Sequence, residues 1–131
     1  MSSILILVVD DETYVTTAVG TQLRRRGYEV IVGENGQDGL QLALEHGPRL
    51  IISDLQMPSL SGLEMAQALR KDARTRDIPI VMLTARGHRL TDAETQLTNI
   101  QRILPKPFSI KDLMQRVDEL APLQPSSRKV A

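Results

Sequence analysis

The chain has no cysteine and no tryptophan, and only Tyr14, Tyr28 and Phe108 are aromatic. Without cysteine there is no disulfide framework, no thiolate zinc site and no cysteine nucleophile, a composition suited to a reducing cytoplasm. With aromatics at 2%, the core must be aliphatic, and platforms for stacking nucleic-acid bases are essentially missing. Neither charge sign prevails. The 16 basic residues balance 16 acidic ones, so no global field draws the chain to nucleic acid or to an anionic membrane. The longest apolar run, Ile4 to Val9, falls far short of the roughly 18 residues of a membrane span, and it lacks a basic leader and a small-residue cleavage site. The chain therefore reads as soluble, unexported and cytoplasmic, with no membrane insertion. Neither G-x-G-x-x-G nor G-x-x-x-x-G-K-[ST] occurs, which sets aside the common nucleotide-binding loops.

What is present is ordinary globular material: 131 residues, 41% hydrophobic and 24% charged, enough for one domain with one core. Short apolar runs at Ile4 to Val9, Leu50 to Ile52 and Ile78 to Leu83, bounded by polar or turn residues, read as interior strands. Weaker runs at Tyr28 to Val32 and Arg102 to Leu104 bring the strands to five. Between them, one helical face recurs in Val15, Ala18, Val19, Gln22 and Leu23, then in Leu40, Ala43 and Leu44, in Leu63, Ala66 and Leu69, and in Ile110, Leu113, Met114 and Val117. Ser61 with Glu64, Thr91 with Glu94 and Ser109 with Asp112 fit helix-start patterns, Asn35 suits an N-cap, and Gly27, Gly47 and Pro48 stop helices. The alternation predicts a three-layer, doubly wound α/β fold whose five-stranded parallel sheet has right-handed crossovers. Residues 1–121 form the expected domain. Residues 122–131, with Pro122, Pro125, Ser126 and Ser127 and no periodicity, form an expected flexible C-terminal tail, too short for a DNA-binding output domain.

Open parallel sheets bind ligands outside the carboxyl ends of their strands. Strand one ends in Asp10, Asp11 and Glu12, and strand three ends in Asp54. Side by side, they would bring three carboxylates into one crevice. Unit charges about 4 Å apart repel by roughly 4 kcal/mol at an effective dielectric near 20, so such a cluster raises carboxyl pKa values or recruits a cation. Oxygen ligands of this kind suit Mg²⁺. An Asp pair after a strand is often only a turn or a cap, and the pair alone does not decide between structure and site. Strand four, ending in Thr84 and Ala85, and strand five, followed by Lys106 and Pro107, add a hydroxyl donor and an ammonium to the same rim. Together these groups are the set needed to hold a phosphoryl group on an aspartate.

The acidic pair Asp10 and Asp11, the segment Ser53-Asp54-Leu55-Gln56-Met57-Pro58 with Gly62, Thr84-Ala85 and Lys106-Pro107-Phe108, in this order, resemble the receiver domains of bacterial two-component response regulators, of the single-domain chemotaxis kind. The resemblance implies the flavodoxin-like strand order 2-1-3-4-5 and a switch that accepts a phosphoryl group on Asp54 from a histidine kinase or histidine phosphotransfer protein. It implies Mg²⁺, or alternatively Mn²⁺, ligated by Asp11, Asp54 and the backbone carbonyl of Gln56, with Asp10 acting chiefly through a coordinated water. Thr84 and Lys106 would contact phosphoryl oxygens, the Lys106–Pro107 bond would be cis, and Gly62 would permit a backbone conformation closed to other residues. The signal would pass by a conformational change to a downstream protein partner.

Where family members often carry an aromatic, this chain has Ile103, so an inward-swinging ring is not expected. Gln56 and Arg86 stand two residues past Asp54 and Thr84, where the resemblance implies control of phosphoryl lifetime; for Arg86 a solvated loop cation is an equal reading. Glu12 reads chiefly as a solvated turn residue, His46 as a helix C-terminal residue, and His88 as a loop residue without a second ligand. Met57, Met65, Met82 and Met114 read as packing. One rival is a metal-dependent aspartyl phosphatase, which would have its two aspartates on one loop. Another is a binding module that keeps the fold without being phosphorylated.

Overall fold

The computed structural model describes residues 3–85 and 90–123. Strands and helices alternate: β1 (Leu5–Val9), α1 (Thr13–Arg25), β2 (Glu29–Gly33), α2 (Gly36–His46), β3 (Leu50–Asp54), α3 (Gly62–Lys71), β4 (Ile80–Thr84), α4 (Asp92–Gln96), β5 (Ile100–Pro105) and α5 (Ile110–Leu120). The strands pair in parallel, as the alternation predicts, in the order β2-β1-β3-β4-β5 that the resemblance implies. No helix among the described residues is long and apolar enough to cross a membrane.

Interior parallel strands bury both faces, and alternate residues serve opposite layers. Ile6, Val8, Leu50, Ile52, Val81 and Leu83 join Val15, Val19 and Leu23 of α1 and Leu113, Met114 and Val117 of α5 in one core. Leu7, Val9, Ile51, Ile80 and Met82 face the other way, onto Ala43, Met65, Ala66 and Leu69. All five residues of β3 and of β4 are buried. The four methionines assigned to packing, Met57, Met65, Met82 and Met114, are all buried.

Start signals act as their residue types predict. Asn35 accepts a hydrogen bond from the Asp38 amide, Ser61 with Glu64 and Thr91 with Glu94 form full capping boxes, and Ser109 accepts from Asp112. Gly47 closes α2 in the left-handed region, with φ of 55°. His46 sits in the last turn of α2.

The structure differs from the sequence expectation in α1, in the extent of β5 and at the start of β4, which begins at Ile80 rather than Ile78. On α1, Thr16 and Gly20 are buried while Ala18 is exposed. The helix turns toward the edge strand β2, where a Cβ on Gly20 would stand 3.7 Å from Val30. Strand β5 runs from Ile100 to Pro105, longer than its apolar centre, because an edge strand exposes Gln101, Arg102 and Ile103. Helix α4 has 5 residues and buries none of them, so it carries no apolar stripe to read. The tail expected from residue 122 lies, from residue 124 onward, outside the described residues.

Candidate functional site

Strand order brings the ends of β1, β3 and β4 together. Asp10 follows β1, its amide donating to the Gly33 carbonyl at 3.1 Å, and Asp54 ends β3, adjacent because Val9 registers with Ser53. The Leu55 amide donates to the Leu83 carbonyl at 2.9 Å, and the Lys106 amide donates to the Thr84 carbonyl at 2.6 Å. These backbone bonds seat Asp54 and Lys106 on one rim. The Lys106–Pro107 bond is cis. Asp10, Asp11 and Asp54 each offer a carboxylate oxygen, and these oxygens lie within 4.8 Å of one another. Asp10 and Asp54 are buried, and Asp11 is exposed. The cleft is lined by Asp11, Glu12, Asp54, Gln56, Ala85 and Lys106.

Among the described residues the cation of this cleft is the Lys106 ammonium, with Nζ 3.1 Å from Asp54 Oδ1, 3.2 Å from Glu12 Oε1 and 3.4 Å from Asp10 Oδ2. Burial pushes the Asp10 carboxyl up to about 6; the Asp54 charge adds to the shift, while the Glu12 amide and Lys106 oppose it. Asp54 is likewise raised by burial, against the pull of Lys106. For Lys106 burial favours the neutral amine, but the hydrogen bond to Asp54 and the charges of Asp10 and Asp54 together raise its pKa. The ammonium therefore stays charged, and among the described residues three aspartates plus Glu12 outnumber it. A hard divalent cation fits this all-oxygen donor set, because its charge would offset carboxylates that burial, with their mutual repulsion added, holds above the ordinary range.

The loop after Asp54 is held close to the site. The Gly62 amide donates to the Leu55 carbonyl at 2.8 Å, and a Cβ on Gly62 would stand 2.2 Å from the Asp54 carbonyl oxygen. Gly62 is thus required by close approach. The expectation of an unusual backbone conformation there is corrected: among the described residues the non-glycine with positive φ is Ser59, in the same loop, at 69°, and the glycines with positive φ are Gly27 and Gly47. Ser53 donates to the Asp54 carbonyl at 2.8 Å, fixing the same peptide from the other side.

Of the residues singled out in the sequence, Asp10, Asp11, Asp54 and Lys106 converge. Gln56 is exposed and lines the cleft. Thr84 is buried at the end of β4, and its neighbour Ala85 lines the cleft. Ile103 lies on β5, away from the cleft, and is 40% exposed. Arg86 and His88 lie outside the described residues. Sequence reasoning underrated Glu12, whose side chain meets Lys106; its position directly after the acidic pair was the available signal.

A model of the response regulator receiver domain matches residues 6–118. The chain belongs to this family. The receiver domain is 36% identical over 112 residues to the phosphate regulon transcriptional regulatory protein PhoB of Pseudomonas aeruginosa, covering 86% of this chain and 49% of that protein. It therefore spans about half the length of the curated relatives it matches. Among solved structures it resembles the chemotaxis response regulator CheY4 of Vibrio cholerae, with TM-score 0.82, 28% identity and coverage of 91% and 99% of the two chains. A further likeness, with TM-score 0.79, 28% identity and coverage of 93% and 91%, is to the co-crystal structure of the Saccharomyces cerevisiae histidine phosphotransfer signaling protein Ypd1 and the receiver domain of its downstream response regulator Ssk1. The chain is thus a receiver domain of the two-component phosphorelay type, with the sheet order and acidic cluster on which its sequence motifs converge.

Proposed function

We infer that this receiver domain is a switch that accepts a phosphoryl group on Asp54 from the phosphohistidine of a histidine kinase or histidine phosphotransfer protein. The observation that carries the reading is a buried Asp54 carboxylate, 3.1 Å from the Lys106 ammonium and clustered with Asp10 and Asp11. An Asp54 carboxylate oxygen forms a bond to phosphorus as the P–N bond of the donor breaks. The electron pair stays on the imidazole nitrogen, which takes up a proton, and the product is an acyl phosphate. Mg²⁺, or Mn²⁺ in its place, would be held by Asp11, Asp54 and the Gln56 backbone carbonyl, with Asp10 reaching it through water. The bound cation supplies charge that offsets the phosphoryl oxygens. Lys106 presents its ammonium to the same oxygens, and Thr84 donates its hydroxyl to one of them.

The chain assists its own phosphorylation and dephosphorylation in this way, without being an enzyme toward other molecules. Its aspartates come from the ends of two strands, unlike the single loop of an aspartyl phosphatase. Arg86 and Gln56 tune phosphoryl lifetime, and the drawing in of Thr84 is transmitted to the β5 surface, where the exposed Ile103 meets a downstream protein. The transcriptional roles of the relatives belong to proteins about twice as long and are not carried over. A cytoplasmic location goes with this reading. Intact mass after incubation with acetyl phosphate and Mg²⁺ tests it. One phosphoryl group is expected on the parent chain and none on Asp54→Asn or under chelation. Modification that persists in Asp54→Asn, or at an unchanged rate without metal, refutes it.

A further inference from the structure

We propose that Glu12 is a positioning residue for Lys106, keeping the ammonium aimed into the cleft while phosphoryl transfer removes its other partners. The proposal rests on the phosphoacceptor reading. An ammonium has three protons, and Lys106 Nζ has three carboxylate neighbours, Asp54 at 3.1 Å, Glu12 at 3.2 Å and Asp10 at 3.4 Å. The chemistry consumes two of them. Asp54 becomes an acyl phosphate and loses its carboxylate charge, and Asp10 would turn to the water held by the cation. Glu12 is the partner that neither step touches. One proton pinned by Glu12 leaves two to meet the phosphoryl oxygens, and holds a long, flexible side chain in place at the moment it is needed.

The backbone of Glu12 suits it to this task. It is the N-cap residue of α1, yet its side chain makes no cap hydrogen bond and turns instead to Lys106. Its amide donates to Asp10 Oδ1 at 2.9 Å, and its carbonyl accepts from the Val15 and Thr16 amides at 3.1 and 3.3 Å. The residue is anchored on both sides while its carboxylate reaches across 94 positions of sequence to Lys106.

Positioning and simple charge act in opposite directions, which makes the test decisive. Removing a carboxylate from an acidic mouth lowers repulsion toward an anionic donor and speeds phosphorylation; losing the anchor of Lys106 slows it. Initial rates with acetyl phosphate and Mg²⁺ are compared for the parent, Glu12→Gln, Lys106→Met and the double variant, with beryllofluoride affinity measured in parallel and melting curves to establish folding. Glu12→Gln is expected to be slower by about fivefold, the equivalent of an ion pair of about 1 kcal/mol, and to bind beryllofluoride correspondingly less tightly. In the Lys106→Met background the same substitution is expected to cause no slowing. An unchanged or faster rate in Glu12→Gln, or equal slowing in both backgrounds, overturns the positioning role. Absence of phosphorylation in the parent instead overturns the phosphoacceptor reading, and this proposal with it.

Discussion

Replacing Gly62 with alanine tests how tightly the fold and the site are joined. The new Cβ would stand 2.2 Å from the Asp54 carbonyl oxygen and 3.1 Å from the carbonyl carbon, where ordinary contact begins near 3.4 Å. Both sides are backbone, so either the start of α3 or the Asp54 peptide must move by about 1 Å. Overpacking of this kind costs about 1–3 kcal/mol, and weakening the hydrogen bond from the Gly62 amide to the Leu55 carbonyl adds about 1 kcal/mol. An unfolding entropy of about 2.1 cal/mol/K per residue gives a domain of this size roughly 4 °C of melting temperature per kcal/mol, so a fall of about 7–15 °C is expected. Gly47→Ala is the comparison. Its φ of 55° strains any side chain, but nothing lies within 4 Å, and the cost should stay near 1 kcal/mol. Thermal melts followed by circular dichroism give the stabilities, and acetyl phosphate kinetics report whether the nucleophile has moved, since a misplacement of about 1 Å can cost roughly 100-fold in rate. A Gly62→Ala protein that melts within about 2 °C of the parent, or that loses no more than Gly47→Ala, would refute the close-approach argument.

The remaining predictions concern pH. The Asp10 carboxyl is raised from 3.8 to about 6, so its contribution to stability is full below the unfolded value and is lost as pH rises through 6. In metal-free buffer, Asp10→Asn should therefore stabilise the protein at pH 8 by up to about 3 kcal/mol in urea unfolding, with the gain shrinking toward pH 4. A gain independent of pH would contradict this. The Tyr28 hydroxyl donates to the Ala121 carbonyl at 2.8 Å and to Asp118 Oδ1 at 3.2 Å, tying the end of α5 to the start of β2. Burial pushes its phenol up to about 12, with the Asp118 charge adding to the shift, so the stability it contributes is held below pH 10 and lost toward pH 12. Tyr28→Phe should cost about 1–2 kcal/mol at neutral pH and flatten that alkaline loss; an unchanged alkaline profile would argue against it.

Much of this domain was legible in one dimension because its signals are local. Apolar runs bounded by turn residues marked β1, β3 and β4, and side-chain caps marked the starts of α2, α3, α4 and α5, since a cap hydrogen bond spans only three residues. Asp10, Asp11, Asp54, Thr84 and Lys106 stood out because a parallel sheet presents all its strand ends on one rim. The ends of β5 were less legible, because an edge strand has one neighbour and an exposed flank that relaxes the apolar pattern. Helix α4 left only its capping box to read, because it buries no residue.

Three features were decided only by the packed chain. Gly62 looked like a conformational glycine, but its requirement comes from a carbonyl of another element 2.2 Å from where its Cβ would be. The raised carboxyls of Asp10 and Asp54 follow chiefly from burial at the ends of β1 and β3, which depends on those strands being neighbours in the sheet. The Glu12 contact with Lys106 joins positions 94 residues apart. The sequence by itself determined the elements, their caps and the residue types on the rim, because periodicity and turn chemistry act over a few residues. Distances across that rim were left to the tertiary structure, because they depend on strand order and on the register of Val9 with Ser53 and Thr84 with Pro105.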